Sequence, residues 1–137
     1  AEHLLYEAEL WASLAAIATG TPYPNAELEE LWKQTLFNQF HDILPGSSIT
    51  PVFTEANEVW ETVKFQCWDL MATAQQALAK NLAIPTLPHP DAKLLVVFNP
   101  LNWARTETVN VDLCIEAENP QHWQICDLDG NAIAQQN

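Results

Sequence analysis

Residues 50–82 read TPVFTEANEVWETVKFQCWDLMATAQQALAKNL, and this stretch decides the fold. Thr50 followed by Pro51 is a strong helix start: a capping residue, then a proline placed where its missing N–H costs nothing. From there Ala56, Trp60, Val63, Cys67, Leu70, Ala74 and Ala77 recur at alternating steps of four and three. Those steps keep one apolar seam on one face for about three heptads. At 1.5 Å per residue, a helix from Pro51 to about Leu82 is roughly 48 Å long. A seam of that length needs partner helices along it.

Two such partners precede it. Leu4, Ala8, Trp11, Ala15 and Ala18, widened by Leu14 and Ile17, predict a first helix from Glu2 to Thr19 that Gly20 ends. Gly20-Thr21-Pro22-Tyr23-Pro24 reads as a turn. Asn25 is the expected N-cap of a second helix, with Glu27, Glu29 and Glu30 in its first turns, where negative charge suits the helix dipole. Pro45 and Gly46 place its end near Leu44. Residues 1–82 are therefore expected to form a three-helix up-down-up bundle. Trp11, Trp32 and Trp60 fall on its apolar stripes and read as core rather than as sugar-stacking platforms.

Downstream the pattern changes. Residues 83–92 hold three prolines, Pro85, Pro88 and Pro90, and read as an extended linker. Residues 93–137 read as the first strands of a β-sandwich. Leu94-Leu95-Val96-Val97-Phe98 is a short apolar run, Val109, Val111 and Leu113 alternate with polar residues, and Trp123 and Ile125 begin another strand. Asp129-Gly130 is a hairpin signal before Ala132-Ile133. Three or four strands cannot cover both faces of a sandwich, so the β part is expected to be incomplete. The expected fold class is mainly α: a three-helix up-down-up bundle followed by a short, truncated antiparallel β segment.

The whole chain has 137 residues, with 48% hydrophobic and 17% charged. That balance describes a globular protein rather than a disordered one. Eighteen acidic against five basic residues give a formal charge of −13, which repels phosphate backbones and argues against a nucleic-acid partner. No run approaches the roughly 18 apolar residues of a membrane span, so no membrane partner is expected. Cys67, Cys114 and Cys126 are an odd number without CxxC spacing and read as reduced thiols.

One segment is not explained by packing: Asn38-Gln39-Phe40-His41-Asp42-Ile43-Leu44-Pro45-Gly46-Ser47-Ser48. At roughly 100° per residue, Leu28, Leu31, Trp32, Leu36, Phe40 and Ile43 gather on one side of the second helix. His41 then falls roughly 170° from the middle of that stripe, beside Phe37, and should point away from the core. The plain alternative is a surface histidine near a helix C-terminus. Asp42 sets a carboxylate beside the imidazole, and the Pro-Gly-Ser-Ser loop brings backbone donors close to both. A catalytic zinc site needs about three protein ligands, and His3, His89 and His122 lie far from His41 in sequence with no HxxxH or HExxH spacing. The chain can offer one ligand, not a site. Asp69 and Asp91 read as solvated surface.

Leu36 through Ile49, centred on Phe40-His41-Asp42-Ile43-Leu44-Pro45-Gly46-Ser47-Ser48, resembles the signature of the family 38 glycoside hydrolases, the retaining α-mannosidases. It is most similar to their cytosolic, vacuolar and bacterial branch, which makes the cytoplasm the expected compartment. Val97-Phe98-Asn99-Pro100-Leu101-Asn102-Trp103-Ala104-Arg105-Thr106 resembles the start of that family's β region. The resemblance implies a three-helix middle domain between an N-terminal catalytic β/α barrel and C-terminal β domains of the same polypeptide. It implies that His41 is one ligand of a catalytic Zn2+ completed by the barrel, and that Asp42 hydrogen-bonds mannose hydroxyls. Many members carry two histidines before that aspartate, where this chain has Phe40-His41. The nucleophile and the acid/base are implied to lie in the barrel, so no catalytic carboxylate is assigned in this chain, and the chain alone is expected to be inactive. The implied substrate is a mannose-containing oligosaccharide with terminal α-linked mannose. Two rival readings stand: a non-catalytic helical scaffold, and a related mannosylglycerate-type glycosidase.

Overall fold

The computed structural model describes residues 1–84, 86–87, 89–111 and 123–135. Three helices are formed: α1 (Glu2–Thr19), α2 (Asn25–Phe37) and α3 (Thr50–Lys80). The chain divides into two compact units, one of residues 1–82 with 97–100 and the other of residues 83–96 with 101–137.

In the first unit two cross-helix hydrogen bonds set the direction of α2. Trp32 Nε1 donates to Glu9 Oε1 at 2.9 Å, and Gln39 Nε2 donates to Glu2 Oε2 at 3.1 Å. Trp32, late in α2, meets Glu9, and Gln39, just past the end of α2, meets Glu2 at the start of α1, so the two run antiparallel. A groove lined by Glu27, Leu31, Gln66, Asp69 and Thr73 and a second one lined by Thr35, Gln39, Asn57 and Trp60 give α2 and α3 the same opposed sense. The order is up, down, up.

Leu5, Ala8, Trp11, Ala12 and Ala15 of α1, Leu28 and Leu31 of α2, and Val63, Cys67, Met71 and Ala74 of α3 form the core. The most extensive packing is between α1 and α3. Both present small side chains there, which lets two helix axes approach closely. The seam anticipated in α3 is largely present, with Met71 rather than Leu70 buried. Phe98 packs against this core, its ring edge-on to Trp11 with centroids 5.2 Å apart.

The helix ends follow local chemistry with two exceptions. Gly20 ends α1 in the left-handed region at φ 73°, donating its N–H to Ala16 O, a conformation that favours glycine. Asn25 and Thr50, expected as N-caps, are instead the first helical residues, after Pro24 and Ile49, and no side chain caps either helix. The second exception is larger. α2 stops at Phe37, short of the expected Leu44. The Gln39 N–H turns back to Leu36 O, a tighter bond than the helix would make, and the chain then turns again around Phe40.

The expected antiparallel β segment is not seen among the described residues of the second unit. Leu94–Val96, Val109 and Val111, and Val97–Phe98 of the first unit, are assigned to no strand, while Leu113 lies outside the described residues. Among the described residues an antiparallel bridge forms, Cys126 to Ala132, around the Asp129-Gly130 turn. Asp127 Oδ1 accepts from the Asn131 and Asp129 N–H groups, and Asn131 Nδ2 donates to Oδ2. These bonds hold the Asp127 carboxyl below its usual range. A strand is stabilised by its neighbours, and a lone hairpin is marginal.

The described cysteines, Cys67 and Cys126, are free thiols, and Cys114 lies outside the described residues. Burial pushes the Cys67 thiol up, so it is protonated at neutral pH as well as shielded. An aromatic disulfide reagent at neutral pH is therefore expected to modify Cys126 in the native protein, and Cys67 only after denaturant is added. Peptide mapping checks this, and equal labelling of the two in the native state would contradict the packing of α3. No helix among the described residues is long and apolar enough to cross a membrane.

Candidate functional site

The site segment is held at two points. Asn38, 5% exposed, and Ile43, 9% exposed, are drawn into the bundle. Between them the Phe40 carbonyl accepts from Ile43 N at 2.9 Å and from Leu44 N at 3.1 Å, closing one tight turn. Gly46 follows at φ 79° and donates to Ile43 O at 3.1 Å. Gln39, bonded to Glu2, ties the turn to the start of α1. With both ends of the turn fixed inward, the residues at its crest face outward.

His41 and Asp42 occupy that crest, their side chains 76% and 55% exposed. His41 Nε2 lies 3.7 Å from Asp42 Oδ2, too far for a hydrogen bond and close enough for charge attraction when the ring is protonated. Ser47 Oγ donates to Asp42 Oδ1 at 3.4 Å from the far side of the loop. The Phe40 ring lies against the imidazole, with centroids 4.0 Å apart and planes tilted by 45°. The imidazole therefore has an aromatic ring on one side, a carboxylate on another, and open access elsewhere.

Sequence periodicity anticipated the outward direction of His41 but not the route to it. The expected stripe ran through Leu36 and Phe40, yet both are more than half exposed. The buried face of α2 is Leu28, Leu31, Thr35 and then Asn38, one step round from the expected one. Once the helix stops at Phe37, the later part of the 3.6-residue pattern has no physical meaning. Thr35 Oγ1 and Asn38 Nδ2 are buried without hydrogen-bond partners among the described residues. Nothing in the spacing marked those two as interior, because polar side chains are normally read as the outer face.

Large apolar side chains surround the crest. Leu36, Phe37, Phe40, Leu44 and Ile49 are all more than half exposed. A cleft of about 350 Å³ lined by Gln39, Leu44 and Trp60 shares the segment's wall, but neither His41 nor Asp42 lines it. The two residues thus stand on an open surface rather than in a pocket.

Among the described residues no group of three or more His, Cys, Asp or Glu side chains could hold a metal ion. An exposed imidazole beside a carboxylate fits one ligand position and not a full set of three or four. Chemically, the crest can lend a nitrogen lone pair to a cation and accept hydrogen bonds from hydroxyl groups.

Three comparisons with known proteins bear on this arrangement. The family described as "Alpha mannosidase middle domain" matches residues 1–78. The chain is 35% identical over 109 residues to alpha-mannosidase 2C1 of Mus musculus, covering 79% of this chain and 10% of the relative. The identity and coverage are the same for alpha-mannosidase 2C1 of Homo sapiens. An alpha-mannosidase of Saccharomyces cerevisiae is 33% identical over 89 residues, 64% of this chain and 7% of the relative. The chain thus spans about a tenth or less of the length of these curated relatives. No solved structure matches.

Proposed function

The chain belongs to the alpha-mannosidase middle-domain family, and from that premise we propose that it works as one part of a longer zinc-dependent α-mannosidase acting with retention. In this reading residues 1–82 are the helical middle domain, residues 83–92 the linker and residues 93–137 the opening of a β-sandwich. A catalytic barrel lies N-terminal and further β domains lie C-terminal in the same polypeptide. The substrate is a mannose-containing oligosaccharide with terminal α-linked mannose, and the compartment is the cytoplasm. The single observation that supports this best is the placement of His41 and Asp42 together on an outward-facing crest pinned to the bundle.

When bound, zinc would hold sugar hydroxyls and favour a distorted ring, serving as a template rather than as a source of hydroxide. The residues of this chain do narrower work. His41 presents a neutral imidazole nitrogen as one ligand. Asp42 accepts hydrogen bonds from mannose hydroxyls and so orients the sugar ring, and Ser47 Oγ steadies that carboxylate from behind. The apolar side chains around the crest would be covered by the barrel, excluding water from the site. Retention requires two carboxyl groups roughly 5–5.5 Å apart, one as nucleophile and one as acid/base. Both belong to the barrel in this reading, so residues 1–137 alone do not turn over substrate.

The test is stereochemical. Proton NMR of an aryl α-mannoside incubated with the intact protein is expected to show α-mannose as the first-formed anomer. Residues 1–137 alone are expected to give no turnover. A β-anomer formed first would refute retention, and turnover by the chain alone that survives His41→Ala would refute the division of labour. Preference for mannosylglycerate over oligomannosides would favour the related glycosidase.

A further inference from the structure

The Phe40 ring is half exposed, so burial in the core does not explain its position. It nonetheless lies 4.0 Å from the His41 imidazole, centroid to centroid, at a tilt of 45°. Its backbone takes part in closing the turn. The Phe40 carbonyl accepts from both Ile43 N and Leu44 N, and Ile43 is in turn fixed by burial. The turn therefore sets where the ring starts, and the ring lies along the face of the next side chain.

The imidazole that rests on it is otherwise unconstrained. His41 is 76% exposed, and its other polar neighbour is the Asp42 carboxylate at 3.7 Å, beyond hydrogen-bond reach. An exposed side chain free to sample its rotamers loses that freedom on binding a cation, and the loss weakens the site. A neighbour that removes it beforehand strengthens the site, as supporting groups around metal ligands generally do. Resting on the reading of His41 as a zinc ligand, we infer that Phe40 is a positioning residue. Its aromatic face presets the His41 imidazole for the cation, with no contact of its own to metal or sugar.

The test is zinc affinity of the intact protein, measured by competition with a chromophoric chelator, together with the His41 ring proton shifts in the zinc-free state. Phe40→Ala is expected to weaken zinc binding by about tenfold, the lower end for loss of a supporting group. Phe40→Tyr keeps the ring and should retain wild-type affinity, whereas Phe40→Leu keeps bulk without a ring and should resemble the alanine variant. The His41 ring protons should carry a ring-current shift in the wild type and in Phe40→Tyr, lost in the other two. Wild-type affinity in Phe40→Leu would overturn the inference, since bulk alone would then suffice. His41→Ala separates the two levels. If it abolishes zinc binding while Phe40→Ala and Phe40→Leu bind normally, the positioning role fails and the ligand role stands. If it leaves zinc in place, both fail.

Discussion

His41→Ala in the intact protein is expected to remove bound zinc and to lower mannoside turnover by about 100-fold or more, the two losses appearing together. Removing a group that only supports a metal ligand costs about 10- to 100-fold, so removing a ligand itself should cost at least the upper figure. The side chain is solvent-facing and outside the core, so the substitution should leave the fold intact. An unchanged unfolding transition therefore accompanies the loss of metal and activity. Metal analysis and steady-state kinetics on one preparation check this. Full zinc content with normal kcat/KM would remove the ligand role and favour the reading of the chain as a scaffold.

Leu31→Ala should have the largest effect on stability. Leu31 is fully buried, and with Leu28 it is the buried contribution of α2 to the shared apolar core, against which Trp32 also packs. Deleting three heavy atoms there should cost about 2–5 kcal/mol, through lost transfer energy and the cavity left behind. A urea midpoint lower by about 1 M or more is the expected reading. Leu36→Ala is the control: Leu36 is 57% exposed, and its loss should cost about 0.5 kcal/mol or less. Sequence periodicity placed Leu31 and Leu36 on one stripe. Equal costs for both would return α2 to that phase and contradict the structure.

Loosening α2 should also reach the site, because Asn38 and Ile43 fix the crest only while α2 stays packed. His41 and Asp42 are held chiefly by the burial of Asn38 and Ile43 on either side of them, with Ser47 Oγ bonded to the Asp42 carboxylate. This explains why an exposed pair can still have a defined direction.

The bounds of α1 were legible because each end is a local matter: Gly20 alone supplies the left-handed stop. The start of α3 was legible for the same reason, from Pro51, and its seam from one uninterrupted repeat. The segment around His41 was legible as chemistry, from residue types and from resemblance. Its outward direction came out correctly although the helix expected to carry it ends before it. A turn closed on the Phe40 carbonyl presents His41 outward just as the back of a helix would have done.

By itself the sequence determined the three helices, the apolar seam that gathers them, the glycine and proline punctuation, and the residue types at the crest. Each depends on interactions within a few residues, where steric and hydrogen-bonding preferences act directly. The tertiary structure alone decided which face of α2 is interior, and hence that Thr35 and Asn38 are buried while Leu36 and Phe40 are not. It also decided where α2 stops, and that residues 94–98 and 109–111 are assigned to no strand. Those outcomes depend on distant partners. Burial is a competition among faces for one shared core, and strand pairing is a contract between segments far apart in the chain.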